Sequence, residues 1–406
     1  MECVTRRLAA LLAVTAVLAP VASAATSGSP TILQQKLARA LRVPHVSPAR
    51  SAAVAVDLAS GTSVYALNGS RPLAPASNEK LPVTFAALSL LGAGYRFETD
   101  VLGDGAQDGT LWDGPIVLRG AGDPTLSSAD LRSLALQVRA AGIRRIDGPV
   151  VGDESWYDSR RTVSGWKWGF YINESPPLSA LVVDRDRVLG YVSTNPALAA
   201  ATAFRTALRT AGVAVTGAPK TGAARTYAVP LASVESPTLA SIIRFMDRES
   251  DNFTAEMLLK ELGATQSDSG SSAAGAAVVD GELARVGVPL AGVRIVDGSG
   301  LSQLDRLTAA ALAALLRAAW TDPSIRPAFV AALPIAGVNG TLQDRMRRGP
   351  ARGHVVAKTG TTDVASALSG YARNRFVFAV LQNGHPVSST WARVAQDRFA
   401  QVLAAQ

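Results

Sequence analysis

The sequence predicts an α/β (α+β) fold: one sheet assembled from the two ends of the chain, covered by helices, with an inserted, mostly-β lobe. Three observations predict it. Strand-like runs occur near both ends, at residues 52–58 and 63–67 and again at 354–358, 365–372 and 376–381. Helical patterns lie between and around them. From residue 95 to about 235 the texture changes to short strand-like pieces with many Gly, Pro and Asp turns, and it carries Trp112, Trp156, Trp166 and Trp168. An element order with strands at both ends pairs those ends in one sheet.

The elements follow in order. Residues 31–42 have helical periodicity. AAVAVDL (52–58) and SVYAL (63–67) read as strands joined by the Ala59-Ser60-Gly61 turn. Pro72 and Pro75 mark a loop, and a helix is expected from Ser77 through Leu91, ended by Gly92 and Gly94. After the inserted stretch, helical texture returns from Leu239 to Leu262. The Gly/Ser-rich piece from Ser267 to Ser272 is expected in a loop or a helix start, and a further helix over Thr308–Ala319. Three strands, an Asn383-Gly384 turn and a helix over Trp391–Leu403 close the chain. The domain reading is therefore 1–24 as a leader, 25–94 and 236–406 as two parts of one catalytic domain, and 95–235 as the inserted lobe.

The leader reading rests on three parts. Arg6 and Arg7 form a positive start, Leu8–Leu18 is a short apolar run, and Ala22-Ser23-Ala24 is a small-residue cleavage site. The apolar run is too short to span a bilayer comfortably, and no later stretch is long enough, so a secreted chain without a transmembrane segment is expected. The one cysteine, Cys3, leaves with the leader.

Composition removes several classes. The 406 residues are 48% hydrophobic and 18% charged, which supports two or three packed domains rather than disorder. One Cys and three His leave no disulfide framework and no Cys/His metal site. No metal or organic cofactor is expected. The net charge of +8 comes from scattered arginines without a basic run, which argues against a nucleic-acid partner. There is no H-E-x-x-H and no G-x-S-x-G, and the three histidines have no relay partners. A nucleophilic serine here needs another base, and lysine is the main alternative.

The chain has six lysines. Two follow a serine by three residues, at Ser77-Asn78-Glu79-Lys80 and Ser164-Gly165-Trp166-Lys167, and two begin Lys-Thr-Gly, at Lys220 and Lys358. Ser250-Asp251-Asn252 occurs once. S-x-x-K, S-D-N and K-T-G together are the signature of penicillin-binding proteins and class A β-lactamases. Order selects the set: Lys220 precedes Ser250 and cannot be the third element, and Ser164 does not begin a helical run. Ser77 at a helix start puts Lys80 one turn away on the same face, where its amine reaches the hydroxyl. The candidate catalytic residues are Ser77, Lys80, Ser250, Asn252 and Lys358, with Thr359, Gly360 and Thr361 binding substrate. Burial and a second cation, for which Lys358 is the candidate, are expected to depress the Lys80 pKa.

With these motifs the chain resembles the low-molecular-mass class C penicillin-binding proteins, the D-alanyl-D-alanine carboxypeptidase/endopeptidases. The resemblance also rests on Gly122-Asp123-Pro124-Thr125-Leu126, Gly165-Trp166-Lys167-Trp168, Asp297-Gly298-Ser299-Gly300-Leu301-Ser302, Gly340-Thr341-Leu342 and Ser369-Gly370-Tyr371. It implies a β-lactamase/transpeptidase-like domain with a central antiparallel sheet, acting on peptidoglycan stem peptides and acylated by β-lactams. It further implies that Ser77 is the nucleophile and Lys80 its base. Ser250 relays a proton to the leaving D-alanine, and Asn252 holds Lys80 and a substrate amide. Lys358 supplies positive potential, Thr359 and Thr361 receive the terminal carboxylate, and the N–H groups of Ser77 and Thr361 form the oxyanion hole. Phe170 and Gln303 stand where that family carries an acidic residue and often an arginine for the charged end of the stem-peptide side chain, so a less charged or amidated stem peptide is expected. Trp166 and Trp168 are read as packing in the lobe, and Asp123, Asp153 and Asp297 as turn, capping and loop residues. The rivals are a β-lactamase or esterase on the same fold, and a non-catalytic wall-binding protein.

Overall fold

The computed structural model describes residues 30–188 and 191–406. The leader read in residues 1–24 lies outside them. The first part of the chain holds α1 (Ile32–Ala40), β1 (Ser51–Asp57), β2 (Ser63–Leu67) and α2 (Lys80–Leu90). Thr31 and Gln34 close a reciprocal cap on α1, which is why that helix begins where it does.

The stretch that follows contains β3 (Glu98–Gly103), β4 (Ala106–Asp108), β5 (Leu111–Asp113), β6 (Ile116–Gly120), α3 (Ser128–Ala140), β7 (Arg145–Asp147) and β8 (Val150–Asp153). It continues through β9 (Arg187–Val188), β10 (Tyr191–Val192), α4 (Pro196–Thr210), β11 (Ala214–Val215), β12 (Lys220–Thr221) and β13 (Val229–Glu235). Its strands form sheets in the orders β12-β8-β6-β3-β13, β11-β7-β5-β4 and β10-β9. None of these includes a strand from outside the stretch. Two helices that the sequence reading did not name, α3 and α4, close its core through Leu131, Leu134, Val138, Ala200, Phe204 and Leu208. Both start at side-chain caps, Ser127 and Asn195.

The last part holds α5 (Leu239–Glu249), α6 (Asn252–Ser267), α7 (Ser272–Arg285), α8 (Ala309–Thr321), α9 (Arg326–Ala332), β14 (Val355–Thr361), β15 (Ala365–Ala372), β16 (Phe376–Asn383) and α10 (Ser389–Ala404). The expected sheet from both chain ends is present, in the order β14-β15-β16-β1-β2, and every neighbouring pair is antiparallel. Side chains alternate between two cores: Ala52 and Val54 enter one with α2 and α8, while Ala53 and Ala55 enter the other with α1 and α10. All of β15 is buried because helices cover both faces. Among the described residues no helix is long and apolar enough to cross a membrane.

The helical run expected from Leu239 to Leu262 is two helices. Ser250 adopts a left-handed conformation (φ 60°) that ends α5, and the Asp251 carboxylate caps α6 by accepting from the Thr254 N–H at 2.8 Å. The break leaves Ser250 at the end of α5 and Asn252 as the first residue of α6, where their side chains meet Lys358 and Lys80. The helix expected from Ser77 also starts differently. Residues Ala76–Glu79 form a 3₁₀ turn and the α-helix begins at Lys80. Pro82 thereby sits in the first turn, where no backbone donor is required.

Candidate active site

Three chain segments converge on Ser77. The first is its own turn. Ala76, just before it, has φ 47°, a left-handed conformation for a residue with a side chain, and such strain collects at functional turns. It is held from two sides by glycines. A Cβ on Gly300 would lie 1.9 Å from the Ala76 carbonyl oxygen, and one on Gly360 would lie 3.0 Å from the Ser77 nitrogen. The Asp297–Ser302 loop and strand β14 therefore press directly on the Ser77 turn.

Lys80 is fully buried behind the half-buried Ser77. Its Nζ donates to Ser77 Oγ at 3.2 Å, Asn252 Oδ1 at 2.8 Å and the Ser299 carbonyl at 2.7 Å. Burial pulls its pKa down to about 8, against the pull of Asp297, Asp251, Glu256 and Asp247. Lys358 is also fully buried, and its Nζ donates to Ser250 Oγ at 2.8 Å and to the Thr359 carbonyl at 3.1 Å. Burial, and then repulsion from Lys80, lowers it to about 7. Each serine thus has its own lysine, and burial is the leading cause of depression for both.

The remaining predicted residues lie around this pair. Asn252 Nδ2 donates to the Glu174 carbonyl at 3.1 Å, tying the S-D-N turn to the loop after Trp168. Asp251 is gripped by Arg185 through two contacts, at 2.7 and 3.2 Å. Thr359 donates to Thr341 Oγ1 at 2.7 Å, and Thr361 Oγ1 accepts from Arg393 at 3.4 Å. The structure brings the five residues into two hydrogen-bonded groups, Ser77–Lys80–Asn252 and Ser250–Lys358, with Gly360 against the Ser77 turn. The decoys Ser164, Lys167 and Lys220 are in neither group; Lys220 is on β12.

Several contributors escaped the sequence reading. The Ser299 carbonyl, the Asn78 amide (to the Lys358 carbonyl at 3.1 Å), Thr341 and Arg393 all act through contacts distant in sequence. Asp297 is indeed a loop residue. It accepts from the Gly300 and Ser302 N–H groups, both at 2.7 Å, and so holds the loop against Ala76. Trp166 also donates to Asp297, at 2.8 Å, joining the segment between β8 and β9 to that loop. Trp168 corrects the packing expectation. It is 95% exposed, because the loop turns its indole away from every core. Phe170 and Gln303 line one small pocket with Lys167, Ser302 and Asp363, where Lys167 and Asp363 pair at 2.5 Å.

Behind Lys80 lies a group of buried acids. Glu256 accepts from the Gly298 and Ser299 N–H groups and is raised to about 8, chiefly by burial. Asp305 is pushed up to about 12 by burial and then by Asp297. Glu79, fully buried with neither oxygen hydrogen-bonded, is held well above the carboxylate range. Burial disfavours the charged form of each of these acids, and repulsion from Asp297 adds to it.

Known proteins carry the same arrangement of sequence. The profile of the D-Ala-D-Ala carboxypeptidase 3 (S13) family matches residues 33–197 and 188–406. The chain belongs to this family of serine-type peptidases. It is 32% identical to a D-alanyl-D-alanine carboxypeptidase of Actinomadura sp. over 95% of this chain and 87% of that protein. It is 33% identical to the carboxypeptidase DacB of Mycolicibacterium smegmatis over 92% of this chain and 85% of that one. In fold it is similar to penicillin binding protein 4 (dacB) from Haemophilus influenzae. The TM-score is 0.79, with 21% identity, over 91% of this chain and 98% of the other. A second structure of that protein, complexed with a β-lactam, superposes at TM-score 0.72.

Proposed function

We propose that this S13-family D-Ala-D-Ala carboxypeptidase is exported and trims peptidoglycan stem peptides through an acyl-enzyme on Ser77, and that β-lactams acylate the same serine. Cutting of cross-links by the same chemistry is part of the reading. The observation that carries it is Lys80: fully buried, lowered to about 8, and in hydrogen-bond reach of both Ser77 Oγ and Asn252 Oδ1.

Lys80, when neutral, takes the Ser77 proton as Oγ attacks the penultimate D-alanine carbonyl. The N–H groups of Ser77 and Thr361 receive the oxyanion, each such donor contributing about 3 kcal/mol to lowering the barrier. Ser250 passes a proton to the departing D-alanine nitrogen and takes one from Lys358, to which it is bonded; the proton on Lys80 passes to Lys358, and Lys80 is neutral again. Water then enters, and Lys80 takes its proton and returns it to Ser77 Oγ as the ester is cleaved. A penicillin opened by Ser77 keeps its amine side tethered, so the leaving group stays in the cleft and blocks that water.

The test is the intact mass of the purified protein with benzylpenicillin over time, beside Ser77→Ala. A persistent one-penicillin adduct that the variant lacks supports the reading. Drug consumed without an adduct identifies a β-lactamase, and drug left intact without an adduct identifies a silent wall-binding protein. The mass of the secreted form tests export, since cleavage after Ala24 removes a defined fragment.

A further inference from the structure

Arg393, in the N-terminal half of α10, has no part in the steps above. Its Nη2 lies 3.4 Å from Thr361 Oγ1, at the open end of β14. One residue back, Gly360 lies against the nucleophile turn, so the guanidinium reaches the strand edge that Ser77 faces. Among the described residues the Arg393 side chain pairs with no acid, and its hydrogen bond is the one to Thr361. Its neighbour Arg345, by contrast, is tied to Asp397 at 2.7 Å.

Resting on the carboxypeptidase reading, the leaving residue of the substrate carries a free carboxylate. Two cations stand near the strand that receives it. Lys358 is buried, and its Nζ is committed to Ser250 and to the Thr359 carbonyl. Arg393 is exposed, and a guanidinium stays charged at every working pH. Thr361 accepts from Arg393, which leaves its own O–H free to donate outward. A carboxylate at that place would receive the Thr361 O–H and an Arg393 N–H together, a charge-assisted pair. We propose that Arg393 is a specificity-determining residue: with Thr361 it holds the carboxylate of the leaving D-alanine, and so selects substrates with a free C-terminus.

The test compares an acyl-D-Ala-D-Ala peptide with its C-terminal amide, on the wild type, Arg393→Ala and Arg393→Lys. The buried face of α10 is Ala392, Ala395, Gln396 and Phe399, so exposed changes at 393 leave its packing intact. The wild type is expected to prefer the free acid. Arg393→Ala should lose about 10- to 100-fold in kcat/KM on the acid, mostly through KM, with the amide changed by less than about twofold. Arg393→Lys should recover part of the loss. An undiminished preference in Arg393→Ala, or equal losses on both peptides, would overturn the assignment. A wild type that cleaves both peptides equally overturns it as well, while leaving the carboxypeptidase reading standing. A wild type that cleaves neither overturns that reading and this one together.

Discussion

On the proposed mechanism, the two buried lysines should make acylation depend on pH in a way that ordinary lysines would not. A free lysine titrates near 10.4, and neither half of the catalytic set would change between pH 6 and 9. Here Lys358 stands at about 7 and Lys80 at about 8, and each charge acts on the other, so they titrate as a pair. Below both values both amines are protonated, and no base is available for Ser77. Above both, neither carries a proton, and Ser250 loses the cation behind it. The working form carries one proton, on Lys358 with Lys80 neutral; it is the less populated of the two one-proton arrangements, because Lys80 holds its proton more tightly, but it is a fixed share of them at every pH. With apparent steps near 7 and 8 the singly protonated enzyme is about 0.6 of the total at pH 7.5 and about 0.09 at pH 6 or 9, so the working form drops roughly sevenfold each way. The assay is the single-turnover rate of adduct formation with benzylpenicillin, whose own carboxylate does not titrate in this range. Lys358→Arg keeps a permanent cation and should remove the alkaline limb while retaining the acid one. A flat profile from pH 6 to 9, or a lone rising limb above pH 9, would refute the argument that burial sets these charges.

Two further outcomes follow from the geometry. Ser250→Ala removes the hydroxyl on which the Lys358 ammonium ends, and should lower kcat on the order of 10²- to 10⁴-fold while the protein folds normally by circular dichroism. A loss below about threefold would mean that Ser250 passes no proton. Gly300→Ala places a methyl 1.9 Å from the Ala76 carbonyl oxygen at φ +82°, so it should destabilise by about 2 kcal/mol and slow acylation together. An unchanged melting temperature would show that the Asp297–Ser302 loop does not brace the nucleophile turn.

Most of the fold could be read because its signals are local. Strands such as Ala365–Ala372 announce themselves by β-type runs between turns, and the caps at Thr31 and Thr308 are adjacent to the helices they start. The S-x-x-K, S-D-N and K-T-G residues were legible for the same reason: each tripeptide or tetrapeptide needs only its own spacing and its order along the chain. Where the reading fell short, the deciding contact was long-range. The break at Ser250 depends on a left-handed residue that periodicity does not reveal, and Trp168 is exposed because of a loop path that no local pattern records.

The sequence by itself determined the sheet built from two chain ends, the helices that cover it, and the candidate serine and lysine. Only the tertiary structure decided which groups meet and how they are charged. It set Lys80 between Ser77, Asn252 and the Ser299 carbonyl, gave Lys358 to Ser250, and brought Arg393 to Thr361 across the fold. The physical reason is that proton affinity depends on desolvation and on neighbouring charge, and both are properties of a packed interior rather than of a residue's neighbours in the chain.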